Sequence, residues 1–287
     1  MTQATKNRSV AKLVKGIPAA DGAGVKLTRI IGSPELDMVD PFLLLDYFES
    51  DNPDDYIGGF PSHPHRGFET VTYLLAGRMR HEDNKGHAGV IEPGGVQWMT
   101  AGSGIVHSEM PEQENGLLSG FQLWVNLPAE HKMTKPQYRE FDAGSIPSEQ
   151  RDEGVEVRVI TGATSNGTSG PVTDVLTEPL YLDITLSANS ELIESIPESH
   201  NAFIYVINGE VLVCDGDDAS DISVEKRMLA VLSEGEQVHL KSLEENTRLL
   251  LVAGLRINEL VARGGPFVMN TKAEVMQAFK DYQEGRF

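Results

Sequence analysis

Tyr73-Leu74-Leu75-Ala76-Gly77-Arg78-Met79 reads as the end of one β-strand, a glycine turn and the start of the next. The same pattern returns 132 residues later as Tyr205-Val206-Ile207-Asn208-Gly209-Glu210-Val211. Downstream, Val90-Ile91-Glu92-Pro93-Gly94-Gly95-Val96-Gln97-Trp98 is echoed by Val231-Leu232-Ser233-Glu234-Gly235-Glu236-Gln237-Val238-His239, at a spacing of 141. Two copies of one β-domain account for such echoes.

Other segments agree with an all-β class. Val71–Leu75, Phe121–Val125, Val155–Ile160 and Leu249–Val252 are β-branched or aromatic runs bounded by turn residues at short intervals, as in sandwiches and barrels. Thr271–Gln283 alone reads as a helix. Thr271 can cap it, Glu274 stands at capping-box spacing, and Val275, Phe279 and Tyr282 make an apolar stripe. The Gly/Ser/Thr-rich stretch Thr161–Gly170 is a natural boundary, which divides the chain into domains 1–160 and 161–287.

A chain of 287 residues can bury a core without staples; at that length roughly 75% of the unfolded surface is lost on folding. The one cysteine, Cys214, can supply neither a disulfide nor a thiolate metal site. One thiol and no secretory leader point to a reducing, cytoplasmic setting. No apolar run approaches a membrane span. The formal charge of −19 repels polyanions and argues against direct nucleic-acid binding.

Two short motifs carry chemistry. His63-Pro64-His65 and His107-Ser108-Glu109 each have i, i+2 spacing, which places both side chains on one face of a strand. If the two strands lie side by side, three imidazoles and a carboxylate meet. Such ligands suit Fe, Mn, Ni, Cu or Zn, and four of them leave positions open on a six-coordinate ion. Residue spacing leaves another outcome standing: pairs on a surface strand that bind nothing. The second repeat has lone His200 and His239 but neither motif, so a site is expected in the first domain only. His81 and His87 flank a hairpin and read as turn or surface residues. Trp98 and Trp124 read as core residues and Cys214 as an ordinary thiol.

The resemblance to a family is specific. Asp40-Pro41-Phe42-Leu43-Leu44-Leu45-Asp46, His63-Pro64-His65-Arg66-Gly67-Phe68-Glu69-Thr70-Val71 and Gln97-Trp98-Met99-Thr100-Ala101-Gly102 are similar to segments of the pirin family of the cupin superfamily. So are Gly104-Ile105-Val106-His107-Ser108-Glu109-Met110-Pro111, Gln122-Leu123-Trp124-Val125-Asn126-Leu127-Pro128 and Gly265-Pro266-Phe267-Val268-Met269-Asn270-Thr271. The resemblance implies a bicupin, two jelly-roll-like β-barrels packed face to face, with a mononuclear metal in the N-terminal one. Iron comes first among the candidate ions, with Mn, Ni, Cu, Zn or Co as alternatives. It implies His63, His65, His107 and Glu109 as ligands, and selects Glu109 over Glu69.

The resemblance also implies an activity. Pirin-family members resemble quercetin 2,3-dioxygenases, which open a flavonol's central ring with O2 and release carbon monoxide. The expected substrates are a small flavonol-like aromatic and O2, with Glu109 as general base toward the substrate hydroxyl. The alternative is a metal- and redox-dependent regulatory protein acting on a transcription factor or metabolic enzyme. A monomer is expected, since two barrels in one chain can bury each other.

Overall fold

The computed structural model describes residues 5–151, 154–216 and 221–287. They are mostly strands, with one α-helix, Lys272–Gln283, and form two compact units. One unit comprises Ile17–Ser145 with Ile257–Phe287; the other takes Ile146–Arg256 and the described residues before Ile17. The units are thus interleaved along the chain. A cut at 160/161 runs through the strand Val155–Thr161, and the helix belongs to the same unit as residues 17–145.

Each unit holds a seven-stranded and a four-stranded antiparallel sheet, and the first also carries the two-stranded hairpin Ala262–Gly264 with Phe267–Met269. In the first unit, Phe68–Ala76 pairs with Val96–Thr100 on one side and Leu118–Asn126 on the other. Its small sheet runs Phe60–His65, Ile105–Pro111, Met79–Asp83, Ala88–Ile91. Val25, Leu27, Phe48, Leu74 and Leu118 of the large sheet pack against Met79 and Ile91 of the small one. In the second unit, His200–Asn208 stands between Met228–Leu232 and Thr247–Leu255, and the small sheet runs Glu191–Ser195, Gln237–Ser242, Glu210–Val213, Ile222–Glu225. The strand order is the same in both, so the repeat seen at Tyr73 and Tyr205 is a repeat of fold.

The second echo aligns one strand out of register. Val96–Thr100 has Met228–Leu232 as its counterpart, again 132 residues on, whereas the 141-residue match sets Val96-Gln97-Trp98 against the following strand. The turn before Met228–Leu232 is Lys226-Arg227, without glycine, so a match made on the glycines of Glu92–Gly95 slides to the next turn, at Gly235.

All four strand segments and the helix read from sequence are present. Thr271 Oγ1 accepts from the Glu274 backbone N–H at 3.2 Å, and Glu274 Oε2 accepts from Thr271 N at 2.8 Å. This reciprocal cap satisfies donors that helix geometry leaves open. Val275 and Ala278 are buried, while Tyr282 is partly exposed and Phe279 packs on Phe267.

Candidate metal centre

The three histidines of the two motifs meet, whereas Glu109 lies outside the group whose ligand atoms converge. Phe60–His65 runs antiparallel to Ile105–Pro111, with His63 opposite His107 and His65 opposite Ile105; the register then shifts, setting Glu109 opposite Phe60. Ring centroids lie 4.3 Å apart for His63 and His107, 4.9 Å for His65 and His107, and 4.7 Å for His63 and His65. One nitrogen from each of the three histidines falls within 4.8 Å of the others.

Their outer nitrogens are committed elsewhere. His63 Nδ1 donates to Pro61 O at 2.9 Å and His65 Nδ1 to Pro266 O at 3.4 Å. A carbonyl can only accept, so both Nδ1 atoms carry the proton and both Nε2 atoms a lone pair. Those two Nε2 atoms stand 3.0 Å apart. His107 Nδ1 is 3.4 Å from His81 Nδ1, which also takes the Gln97 amide N–H at 2.6 Å. With His81 Nδ1 accepting, His107 Nδ1 is the donor, and its Nε2 is buried with no hydrogen-bond partner among the described residues.

Burial, then the neighbouring imidazoles, holds His65 and His107 well below the usual imidazole range, so both are neutral. With all three imidazoles neutral, three lone pairs converge here. Leaving even one such acceptor unsatisfied costs about 1–3 kcal/mol. A cation that takes all three removes the conflict, so the residues fit a transition metal of the nitrogen-liking kind.

Glu109 lines the same cavity and is 4% exposed. Thr72 Oγ1 donates to its Oε1 at 2.8 Å. Burial raises this carboxyl, against the opposing pull of His63 and the Thr72 hydroxyl. Glu69 faces elsewhere: Thr100 Oγ1 donates to it at 2.6 Å and Arg139 Nη2 lies 3.8 Å away.

The cavity holds about 720 Å³. Leu27, Leu44, Phe48, Phe60 and Trp124 give it apolar walls beside His63, His65 and Glu109. Arg29 meets Asp46 through Nε–Oδ1 at 3.0 Å and Nη2–Oδ2 at 2.7 Å, and reaches Asp21 at 2.9 Å. Burial pushes Asp46 up to about 6 despite Arg29, and the two-pronged pair is charged on both sides at neutral pH.

Sequence reasoning misplaced two residues. His81 is fully buried rather than a surface residue, and it stands on Met79–Asp83 directly opposite Glu109. Strand alternation from Met79 points it inward, a signal obscured by the nearby turn. Trp124 is not simply core: it lines the cavity, its ring 5.2 Å from that of His65. Trp98 is fully buried, and His87 is a surface residue paired with Asp83.

The second unit carries the corresponding positions without the chemistry. Met79 pairs with Pro111 in the first unit as Val211 pairs with Ser242 in the second. Following that register, Val238 and Leu240 stand where His107 and Glu109 do, Glu194 and Ile196 where His63 and His65 do, and Val213 where His81 does. Val213, Ile196, Val238 and Leu240 belong to that unit's aliphatic core. Glu194 is fully buried and held by Arg151 Nη2 at 2.6 Å. Among the described residues the one cluster able to hold a metal is the three-histidine group. No helix among them is long and apolar enough to cross a membrane.

Comparison with known proteins accords with this geometry. The profile described as Pirin matches residues 24–125, and that described as Pirin C-terminal cupin domain matches 181–287. A pirin-like protein of Caulobacter vibrioides is 54% identical over 98% of this chain and 99% of its own length. Pirin of Homo sapiens is 44% identical over 93% of this chain and 89% of its own. A crystal structure of quercetin 2,3-dioxygenase from Acinetobacter baumannii superposes with a TM-score of 0.88 at 35% identity, covering 98% of both chains. With two cupin barrels and matches along nearly its whole length, the chain belongs to the pirin family.

Proposed function

We propose that the protein is a metal-dependent dioxygenase that cleaves flavonol-type aromatics with O2, with His63, His65, His107 and Glu109 as metal ligands and iron as the working ion. The observation that carries this reading is the convergence of three proton-free imidazole nitrogens beside an apolar-walled cavity. The quercetin dioxygenase fold match supports the substrate class. The single buried thiol and the acidic surface fit a cytoplasmic protein.

When bound, the ion supplies Lewis acidity toward a substrate hydroxyl and a redox partner for O2. The protein supplies the rest. Leu27, Leu44, Phe48 and Trp124 remove the aromatic rings from water and hold them flat. Glu109 takes the hydroxyl proton at its carboxylate; burial has already raised its affinity for that proton, and Thr72 fixes Oε1. His81 and the carbonyls of Pro61 and Pro266 keep each ligand imidazole in the tautomer that leaves Nε2 free.

Oxygen uptake and carbon monoxide release with quercetin, measured after reconstitution with Fe, Mn, Ni or Cu, test the reading. Turnover with at least one ion is expected; none with any ion sinks it for that substrate.

A further inference from the structure

The hairpin formed by Ala262–Gly264 and Phe267–Met269 does two things at once. Its turn brings Pro266 O to His65 Nδ1, and its first strand brings Arg263 to the wall of the same cavity.

Arg263 is held there by neutral groups. Nη1 donates to Leu43 O at 3.0 Å and Nη2 to Asp37 O at 3.3 Å. Its carboxylate neighbour, Asp37, is 4.0 Å away on a side chain that is 86% exposed. Such a contact is screened by solvent and contributes little. The carbonyls fix the orientation of the guanidinium without cancelling its charge, and they use two of its five N–H donors. Burial holds the Arg263 guanidinium below its usual range, Asp37 opposing only in part.

The other arginine of the cavity is in the opposite condition. Arg29 is shared by Asp46 and Asp21, so that wall is net negative. Three carboxylates and two guanidiniums line the cavity. Adding a divalent ion leaves one net positive charge, which no group of the cavity other than a ligand can meet. An oriented, under-neutralised guanidinium in a partly desolvated wall matches a planar oxyanion, which it can take in a two-pronged hydrogen bond.

We propose that Arg263 is the anion-recognition residue of this cavity, and that the substrate class is a hydroxylated aromatic bearing a second, anionic oxygen group such as a carboxylate or sulfonate. This rests on the flavonol-type reading for the hydroxyl that meets the histidines. It differs in specifying that a neutral flavonol lacks one of the two anchors.

Zinc-loaded protein isolates binding from turnover, because zinc has no redox chemistry. Dissociation constants for quercetin and quercetin-5′-sulfonate are measured by calorimetry at two salt concentrations. Wild-type protein is expected to bind the sulfonate about tenfold more tightly at low salt, with the preference shrinking as salt screens the charge. Arg263→Gln should bring the ratio of the two constants to near one, and Arg263→Lys should keep part of the preference. Equal binding of the pair by wild type, or a ratio unchanged in Arg263→Gln, overturns the proposal. If Arg263→Gln does not fold, Arg263→Lys and the wild-type salt dependence decide. Sulfonate preference without oxygen uptake by protein loaded with Fe, Mn, Ni or Cu keeps this inference and sinks the oxygenase reading. Quercetin turnover without the preference does the reverse, and binding of neither ligand overturns both.

Discussion

His81 Nδ1 lies 3.4 Å from His107 Nδ1, on the strand next to that of His107 and buried to the same degree. This contact, with the Gln97 amide on the same acceptor, sets which nitrogen of His107 is free. Replacing His81 by Phe keeps an aromatic ring against Tyr138 but removes the acceptor. Outer hydrogen-bond partners of metal ligands are worth about 10–100-fold in affinity. Zinc affinity, measured by chelator competition, should fall by that factor with the circular dichroism unchanged. An unaltered affinity would mean that His81 only fills space.

The three-histidine cluster was legible because strand geometry makes it so. An i, i+2 pair must share a face, and two such pairs on paired strands must approach. What could not be read was the environment. His81 is separated in sequence from both motifs, and its role depends on the pairing of Met79–Asp83 with Ile105–Pro111. Arg263 and Pro266 come from a hairpin about 200 residues from His65, so their arrival at the cavity follows from tertiary packing alone. The compact units depart from the 160/161 division for the same reason. Thr161–Gly170 has the composition of a linker, but Val10–Lys15 pairs with Met228–Leu232, which ties the start of the chain to the later unit.

His63→Ala and Glu109→Gln separate holding the ion from moving the proton. His63→Ala removes one of three converging nitrogens, and metal content after dialysis should drop to a small fraction of wild type. Glu109→Gln keeps the size and a coordinating oxygen but cannot accept a proton, so the three histidines should still retain most of the ion. Oxygen uptake should fall by about 10²-fold or more, the usual worth of a general base. Glu109→Gln protein that retains metal and full turnover would remove Glu109 from the proton step.

Asp281 ties the helix to the ligand strand. Its Oδ2 accepts from Arg66 Nη1 at 2.7 Å, and Arg66, next to His65, also donates to Ser103 O and lies over the Phe287 ring. Hydrogen bonds from Arg66, then Arg286 and Gln277, hold the Asp281 carboxyl well below the usual carboxylate range. A depressed carboxyl contributes stability that is present above its unfolded value, about 3.9, and is lost as pH falls toward the folded value. Asp281→Asn should therefore lower Tm at pH 7, by an amount equivalent to about 3 kcal/mol if Arg66 is left uncompensated. The Tm gap should stay constant from pH 7 to about 5 and narrow below about 4. A gap that does not depend on pH down to 2 would mean that shape, not charge, holds the helix.

Gly67 and Gly86 share a backbone conformation but not a neighbourhood. Their φ angles are +88° and +93°. A Cβ on Gly86 would meet nothing within 4 Å, whereas one on Gly67 would fall 2.0 Å from Val268 O. Both substitutions to Ala carry the left-handed strain of roughly 1–2 kcal/mol. Only Gly67→Ala must also displace the Phe267–Met269 strand, whose Val268 N donates to Arg66 O at 3.1 Å and whose turn carries the His65 partner Pro266. Gly86→Ala should cost no more than the strain, with zinc affinity unchanged. Gly67→Ala should cost more than about 3 kcal/mol, in the range reserved for a named steric cause, and weaken zinc binding as well. Equal denaturation midpoints for the two variants would show that the strand moves aside freely and does not brace the metal ligands.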